Sequence, residues 1–133
     1  MPESALGRIR SLDYTVIYVR DMDAMRIFYG EVMDFPLERM LGEDWIEYRV
    51  GSNVLALARP RATAAAMDAP VPAGAASLQL AFRVSPGEVD RCADELKAHE
   101  VEITSAPTDQ PWGHRTLFFR DPDGNVLEIY ADI

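Results

Sequence analysis

Twice along this chain the same series of sequence periods occurs: a β-rich run, an amphipathic helical stretch, then three short β-rich runs. No other feature limits the fold as much. A helix between strands of one sheet acts as a crossover and covers one face of that sheet, leaving the other face free to curve.

The first series opens at residues 12–19, LDYTVIYV. Asp21 then reads as an N-cap, and MDAMRIFYGEVM sets Ala24, Ile27, Phe28 and Val32 near one helical face. Strands are expected at 37–41, 45–50 and 53–58, with Gly51 and Ser52 turning the last two into a hairpin. The second series opens at 78–84, LQLAFRV. Ser85-Pro86-Gly87-Glu88 has the form of a capping box with Pro86 at the first helical position. The helix continues through VDRCADELKAHE with Val89, Cys92, Ala93 and Leu96 inward. Strands follow at 101–104, 116–120 and 125–130, the last two joined by the turn Asp121-Pro122-Asp123-Gly124.

Between the series, residues 59–77 are rich in Ala and Pro without a strong period, and read as a mobile loop. The expectation is a single α+β domain over 1–133. It is built of βαβββ modules at 11–59 and 77–131, joined by the loop 60–76.

Composition narrows the partners. The chain has 133 residues and a net charge of −9, from 13 basic against 22 acidic side chains. That field disfavours nucleic acid and anionic membrane and leans toward cationic or metal-bound ligands. No apolar run reaches bilayer length, and the opening MPESALGRIR lacks a signal-peptide pattern. Cys92 is the sole cysteine, so no intrachain disulfide forms and a cytoplasmic location is expected. On the packed face of its helix, Cys92 reads as inert core.

Alternation along the strands selects candidate site residues. Leu127 and Ile129 suit the helix-packed face, so Glu128 and Tyr130 point the other way. Leu78, Leu80, Phe82 and Val84 likewise leave Gln79, Ala81 and Arg83 on the free side, where Arg83 can pair with Glu128. Leu55 and Leu57 pack inward and leave Val54, Ala56 and Ala58. Tyr14, Val16 and Tyr18 share a side. The free face thus carries Tyr14, Tyr18, Gln79, Arg83, Glu128 and Tyr130, a polar and aromatic set. Trp112, His114 and Arg115 approach a strand and form its rim, and Trp45 is a second large aromatic suited to bracket a ligand. His99 ends the second helix, where a cation suits the helix dipole.

The element order, the helix MDAMRIFYGEVMDF and above all WGHRTLFFRDPDGNVLEIY resemble the vicinal oxygen chelate superfamily, the glyoxalase, bleomycin-resistance and extradiol dioxygenase group. The resemblance implies paired βαβββ modules with curved mixed sheets forming a cup, in a homodimer. It also implies metal ligands at positions falling on Tyr14, Ala56, Gln79 and Glu128. Here the chain departs from the pattern: tyrosine stands where His or Gln is usual and alanine where many relatives have Glu. Gln79 and Glu128 remain as oxygen ligands, with Tyr14 as a third candidate.

Iron dioxygenases need two His and a carboxylate, and none of these positions is His, which argues against extradiol cleavage. Zinc would be held poorly, and Ni, Mn or Mg only weakly through retained waters. The expectation is therefore a small-molecule-binding protein of the bleomycin-resistance kind, without a tightly held metal. The alternative is a metal-dependent lyase or isomerase resembling glyoxalase I (a lactoylglutathione lyase), with Glu128 as the catalytic group and Arg83 anchoring a carboxylate. A third reading is an interaction module whose sheets serve only to dimerise.

Overall fold

The computed structural model describes residues 4–59 and 78–133. Within these residues eight strands and two α-helices follow in chain order: β1 (Tyr14–Tyr18), α1 (Met22–Ile27), β2 (Leu37–Leu41), β3 (Trp45–Val50), β4 (Asn53–Ala58), β5 (Gln79–Arg83), α2 (Glu88–Ala98), β6 (Ile103–Asp109), β7 (His114–Arg120) and β8 (Val126–Asp132). They form two four-stranded mixed sheets ordered β1-β4-β3-β2 and β5-β8-β7-β6. In each sheet the first and last strands of the series run parallel and the rest antiparallel. This is βαβββ, twice. The loop expected at 60–76 lies outside the described residues.

The registers make the two sheets comparable residue by residue. Tyr14 pairs with Val54 and Val16 with Ala56, as Gln79 pairs with Val126 and Ala81 with Glu128. Tyr14 and Gln79 therefore hold equivalent places, and so do Ala56 and Glu128.

Both helices depart in detail from the sequence expectation. Asp21 caps α1, its Oδ1 accepting from the Ala24 N–H at 3.1 Å. The inward face, however, is Met22, Met25, Phe28 and Tyr29, while Ile27 is 54% exposed. Two apolar stripes compete on this helix, and the larger side chains win. The chain then widens into a π-helical turn, Phe28–Val32, closed by Met33 N–H donating to Phe28 O at 2.8 Å.

The second helix starts at Glu88, later than a capping box at Ser85 would place it. The carbonyl of Ser85, rather than its hydroxyl, accepts from the Glu88 N–H at 2.9 Å, so Ser85 to Gly87 form a turn ahead of the helix. Val89, Ala93 and Leu96 are buried as expected, and Cys92 is partly buried, with burial pushing its thiol pKa up.

One apolar core runs through both sheets. Ile17, Ile46, Leu55 and Leu57 from the first belong to the same cluster as Leu117, Phe119, Leu127 and Ile129 from the second. The first helical segment and the stretch after it tie them together: Phe28 lies against Phe119 at 6.3 Å between ring centroids, and Phe35 against Phe82 at 5.5 Å. Polar ties run beside these. Tyr29 donates to Asp121, and the Arg20 backbone N–H donates to Asp123 Oδ2 at 2.7 Å. Burying these apolar faces commits each sheet's other face outward. No helix among the described residues is long and apolar enough to cross a membrane.

Candidate functional site

The outward face of the second sheet is built along β8. Glu128, Tyr130 and Asp132 project from it, with Gln79 and Arg83 beside them on β5 and His114, Thr116 and Phe118 on β7. Gln79 Nε2 donates to Glu128 Oε1 at 3.2 Å. Two residues further along, the Arg83 guanidinium lies over the Tyr130 ring, 5.0 Å from its centroid. From the β7 side the His114 imidazole meets the same ring at 4.6 Å and 31°. Asp132 joins both partners: it pairs with Arg83 through Oδ2 and with His114 Nε2 through Oδ1 at 3.2 Å. The Asp132 hydrogen bond pushes Arg83 further above its ordinary pKa.

The sequence expectation paired Arg83 with Glu128, but Arg83 takes Asp132. Glu128 is already answered by Gln79, whereas Asp132, 64% exposed, accepts a cation with little desolvation.

The outward face of the first sheet is different in character. Tyr14 and Tyr18 are exposed on β1, and the fully buried Ala56 and Ala58 lie beside them on β4. Trp45 and Glu47 come from β3, Glu47 paired with Ala56 and Trp45 with Ala58. Trp45 Nε1 donates to Glu47 Oε2 at 2.7 Å, and Arg39 Nε on β2 donates to the same oxygen at 3.1 Å. Tyr14 meets Trp45 edge-on at 6.3 Å.

Glu47, only 8% exposed, was not among the sequence candidates. A usable signal existed. The two-residue turn Gly51-Ser52 sets position 50 against 53, and hence 47 against 56, while alternation in WIEYRV puts Glu47 opposite Ile46 and Tyr48.

Other candidates separate. His114, expected in the approach to a strand, is the first residue of β7. Trp112 stands in the preceding turn, 64% exposed. Arg115 does not join the rim. Alternation sends it to the opposite side from His114, where it pairs with Asp90 of α2 and Asp109 of β6, both at 2.9 Å. Tyr14 packs on Trp45 rather than reaching Gln79 or Glu128. The side-chain hydrogen bonds and ring contacts of Tyr14, Trp45 and Glu47 stay in the first sheet, and those of Gln79, Arg83, His114 and Tyr130 in the second.

The donor chemistry of the four positions bears on whether they fit a metal. The four positions hold a phenol, a methyl group, an amide and a carboxylate, and the amide's N–H₂ is directed at the carboxylate. Among the described residues no three His, Cys, Asp or Glu side chains group so as to hold an ion. The set does not fit a tightly bound transition metal.

A family model described as the Glyoxalase/Bleomycin resistance protein/Dioxygenase superfamily matches residues 11–129. The fold resembles a crystal structure of a lactoylglutathione lyase from Agrobacterium tumefaciens, 25% identical, with TM-score 0.74, covering 91% of this chain and 92% of that one. It also resembles a glyoxalase/bleomycin resistance protein/dioxygenase from Nocardioides, 23% identical, with TM-score 0.79 and coverage of 94% and 85%. A glyoxalase-related enzyme from Fulvimarina pelagi is 22% identical, with TM-score 0.77 and coverage of 93% and 89%. Among curated proteins, the uncharacterized protein YraH of Bacillus subtilis (strain 168) is 40% identical over 52 residues. That match spans 38% of this chain and 39% of that relative's length.

Proposed function

Because the chain belongs to the glyoxalase/bleomycin resistance protein/dioxygenase superfamily, we propose that it binds an organic small molecule on its polar, aromatic sheet faces, without a tightly held metal. The observation that carries this reading is the Gln79–Glu128 hydrogen bond. The one carboxylate at the expected ligand positions already has a partner inside the sheet, and the corresponding place in the first sheet is Ala56. What the faces offer is recognition: aromatic rings, a guanidinium, an imidazole and an amide. A homodimer bringing the face of one copy to that of another belongs to the same proposal. So does a cytoplasmic location, which suits the lone thiol of Cys92.

Elemental analysis of freshly purified protein, with a thermal-shift screen over divalent ions and EDTA, tests this reading. The expected result is far less than one metal per chain and no loss of stability with EDTA. One equivalent of retained metal ends the proposal.

A second reading, a lyase or isomerase, is supported by the likeness to the Agrobacterium tumefaciens lactoylglutathione lyase over 91% of the chain. Glu128 is then the residue that takes a proton from carbon beside a carbonyl. The donor set weighs against the metal dependence that the sequence resemblance implied for such a reaction. If Glu128→Ala leaves turnover of such a substrate unchanged, the lyase reading fails.

A further inference from the structure

The first sheet holds a buried carboxylate for which neither reading has a use. We infer that Glu47, with Trp45 and Tyr14, forms a subsite for the cationic group of an organic ligand, an ammonium or a guanidinium. The inference rests on the ligand-binding reading and gives its ligand a charge.

Geometry supplies the argument. A buried carboxylate is costly unless charged or hydrogen-bonding partners answer it. Glu47 directs both of its partners, the Trp45 indole N–H and the Arg39 guanidinium, onto a single oxygen, Oε2. Both of these bonds end on Oε2, and neither uses Oε1. The carboxylate therefore retains acceptor capacity on a face that also carries aromatic rings.

The neighbours select the kind of donor. Trp45 and Tyr14 meet edge-to-face at 6.3 Å, so the tyrosine and indole offer π-electron density on the same sheet face as the carboxylate. A π face and a carboxylate together attract an organic cation, whereas a hard metal ion prefers several carboxylate or carbonyl oxygens at once. Among the described residues Glu47 belongs to no group of three or more His, Cys, Asp or Glu side chains able to hold an ion.

The chain also places a cation there itself. Arg39 reaches Glu47 by one Nε contact, from a side chain 60% exposed on the edge strand β2. With the guanidinium end largely in water, this pair exchanges more readily than one sealed at both ends. Arg39 thus marks the position a ligand cation takes, either by displacing it or by sharing the carboxylate. The net charge of −9 favours the approach of such a ligand.

Position adds a reason for Glu47 to matter. It stands directly across from Ala56, whose counterpart in the second sheet is Glu128. The first sheet thus carries its carboxylate one strand over, where an indole and a guanidinium hold it.

The test uses ¹⁵N-labelled full-length protein and reads the indole N–H resonance of Trp45, assigned with Trp45→Phe. Benzyltrimethylammonium is titrated against benzyl alcohol and benzoate. The expected result is a saturable shift with the cation alone, weakened at least about tenfold in Glu47→Gln and tightened in Arg39→Met, which removes the internal competitor. Equal shifts with the neutral probe, no saturable shift with the cation, or unchanged affinity in Glu47→Gln overturns the inference. Arg39→Met supplies a change in the opposite direction if Glu47→Gln folds poorly; if its affinity does not rise, the inference also fails. Shifts confined to Gln79 and Tyr130 overturn the subsite but leave the ligand-binding reading in place. Silence from every probe at every resonance counts against both.

Discussion

Tyr29 donates its phenolic hydroxyl to Asp121 Oδ2 at 2.7 Å, and both residues are sealed from water at 0% and 4% exposure. The bond ties the first helical segment to the β7–β8 turn of the other sheet. Asp121 is further held by the backbone N–H groups of Asp123 and Asn125, both at 3.0 Å, and by the Asn125 side-chain amide at 2.8 Å. Burial, with the Asp121 carboxylate close by, pushes the Tyr29 pKa far above its ordinary value, so the phenol stays a donor at any working pH.

Removing that donor costs more than an average hydrogen bond, because the acceptor is charged and stays buried. Tyr29→Phe keeps the ring and its packing on Phe28 and Phe35. The expected loss is about 2 kcal/mol in urea unfolding, seen as a lower midpoint at constant slope. A loss below about 0.5 kcal/mol would mean the bond between the sheets carries no load.

Asp123, two residues on, gives a pH signature. Its pKa is raised chiefly by burial, with the Arg20 backbone N–H pulling the other way and Asp121 adding to the rise. An acid whose folded pKa lies above its unfolded value binds its proton more tightly when folded. Stability therefore rises as pH falls from the raised folded value toward the ordinary Asp value, and gains nothing more below that. Wild type should gain stability relative to Asp123→Asn over that window, by denaturation at stepped pH. A flat difference between the two proteins refutes the assignment.

The end of α2 carries strain that one substitution relieves. Val101 N–H donates back to Leu96 O at 2.9 Å, and Glu100 takes φ of +62°, the left-handed conformation that glycine adopts without steric cost. Glu100→Gly should stabilise by up to about 1 kcal/mol despite the greater freedom of the unfolded chain. Thermal unfolding decides it, and a lower midpoint would show that the side chain compensates for its backbone.

Much of this was legible without coordinates, for reasons that can be named. The turns Gly51-Ser52 and Asp121 to Gly124 sit between clean alternating runs. Three of the first module's strands, Leu37–Leu41, Trp45–Val50 and Asn53–Ala58, match the sequence reading to the residue. Alternation also placed Gln79 and Glu128 on one side, and their hydrogen bond is the result. What alternation cannot supply is competition among partners. It does not tell Arg83 to prefer Asp132 over Glu128, and it cannot choose between the two apolar stripes of α1, which a tertiary bond at Tyr29 helps to decide. Arg115 leaves the rim because it and His114 are neighbours in a strand, whose side chains alternate, rather than parts of the approach to it.

Glu47 offers a last separation between charge and hydrogen bonding. Its Oε2 accepts the Trp45 indole N–H at 2.7 Å and the Arg39 Nε at 3.1 Å. Glu47→Gln keeps an acceptor for the indole, whereas Glu47→Ala leaves that half-buried N–H without one. The alanine variant should lose about 1–3 kcal/mol and the glutamine variant less than about 1 kcal/mol, because the amide oxygen still accepts from the indole and the Arg39 end of the pair is largely in water. Chemical denaturation of the two variants side by side provides the comparison. Equal losses would mean that the charge itself, and not the indole's acceptor, stabilises this face; the Glu47→Gln titration would then need a folded-state control before its affinity is read.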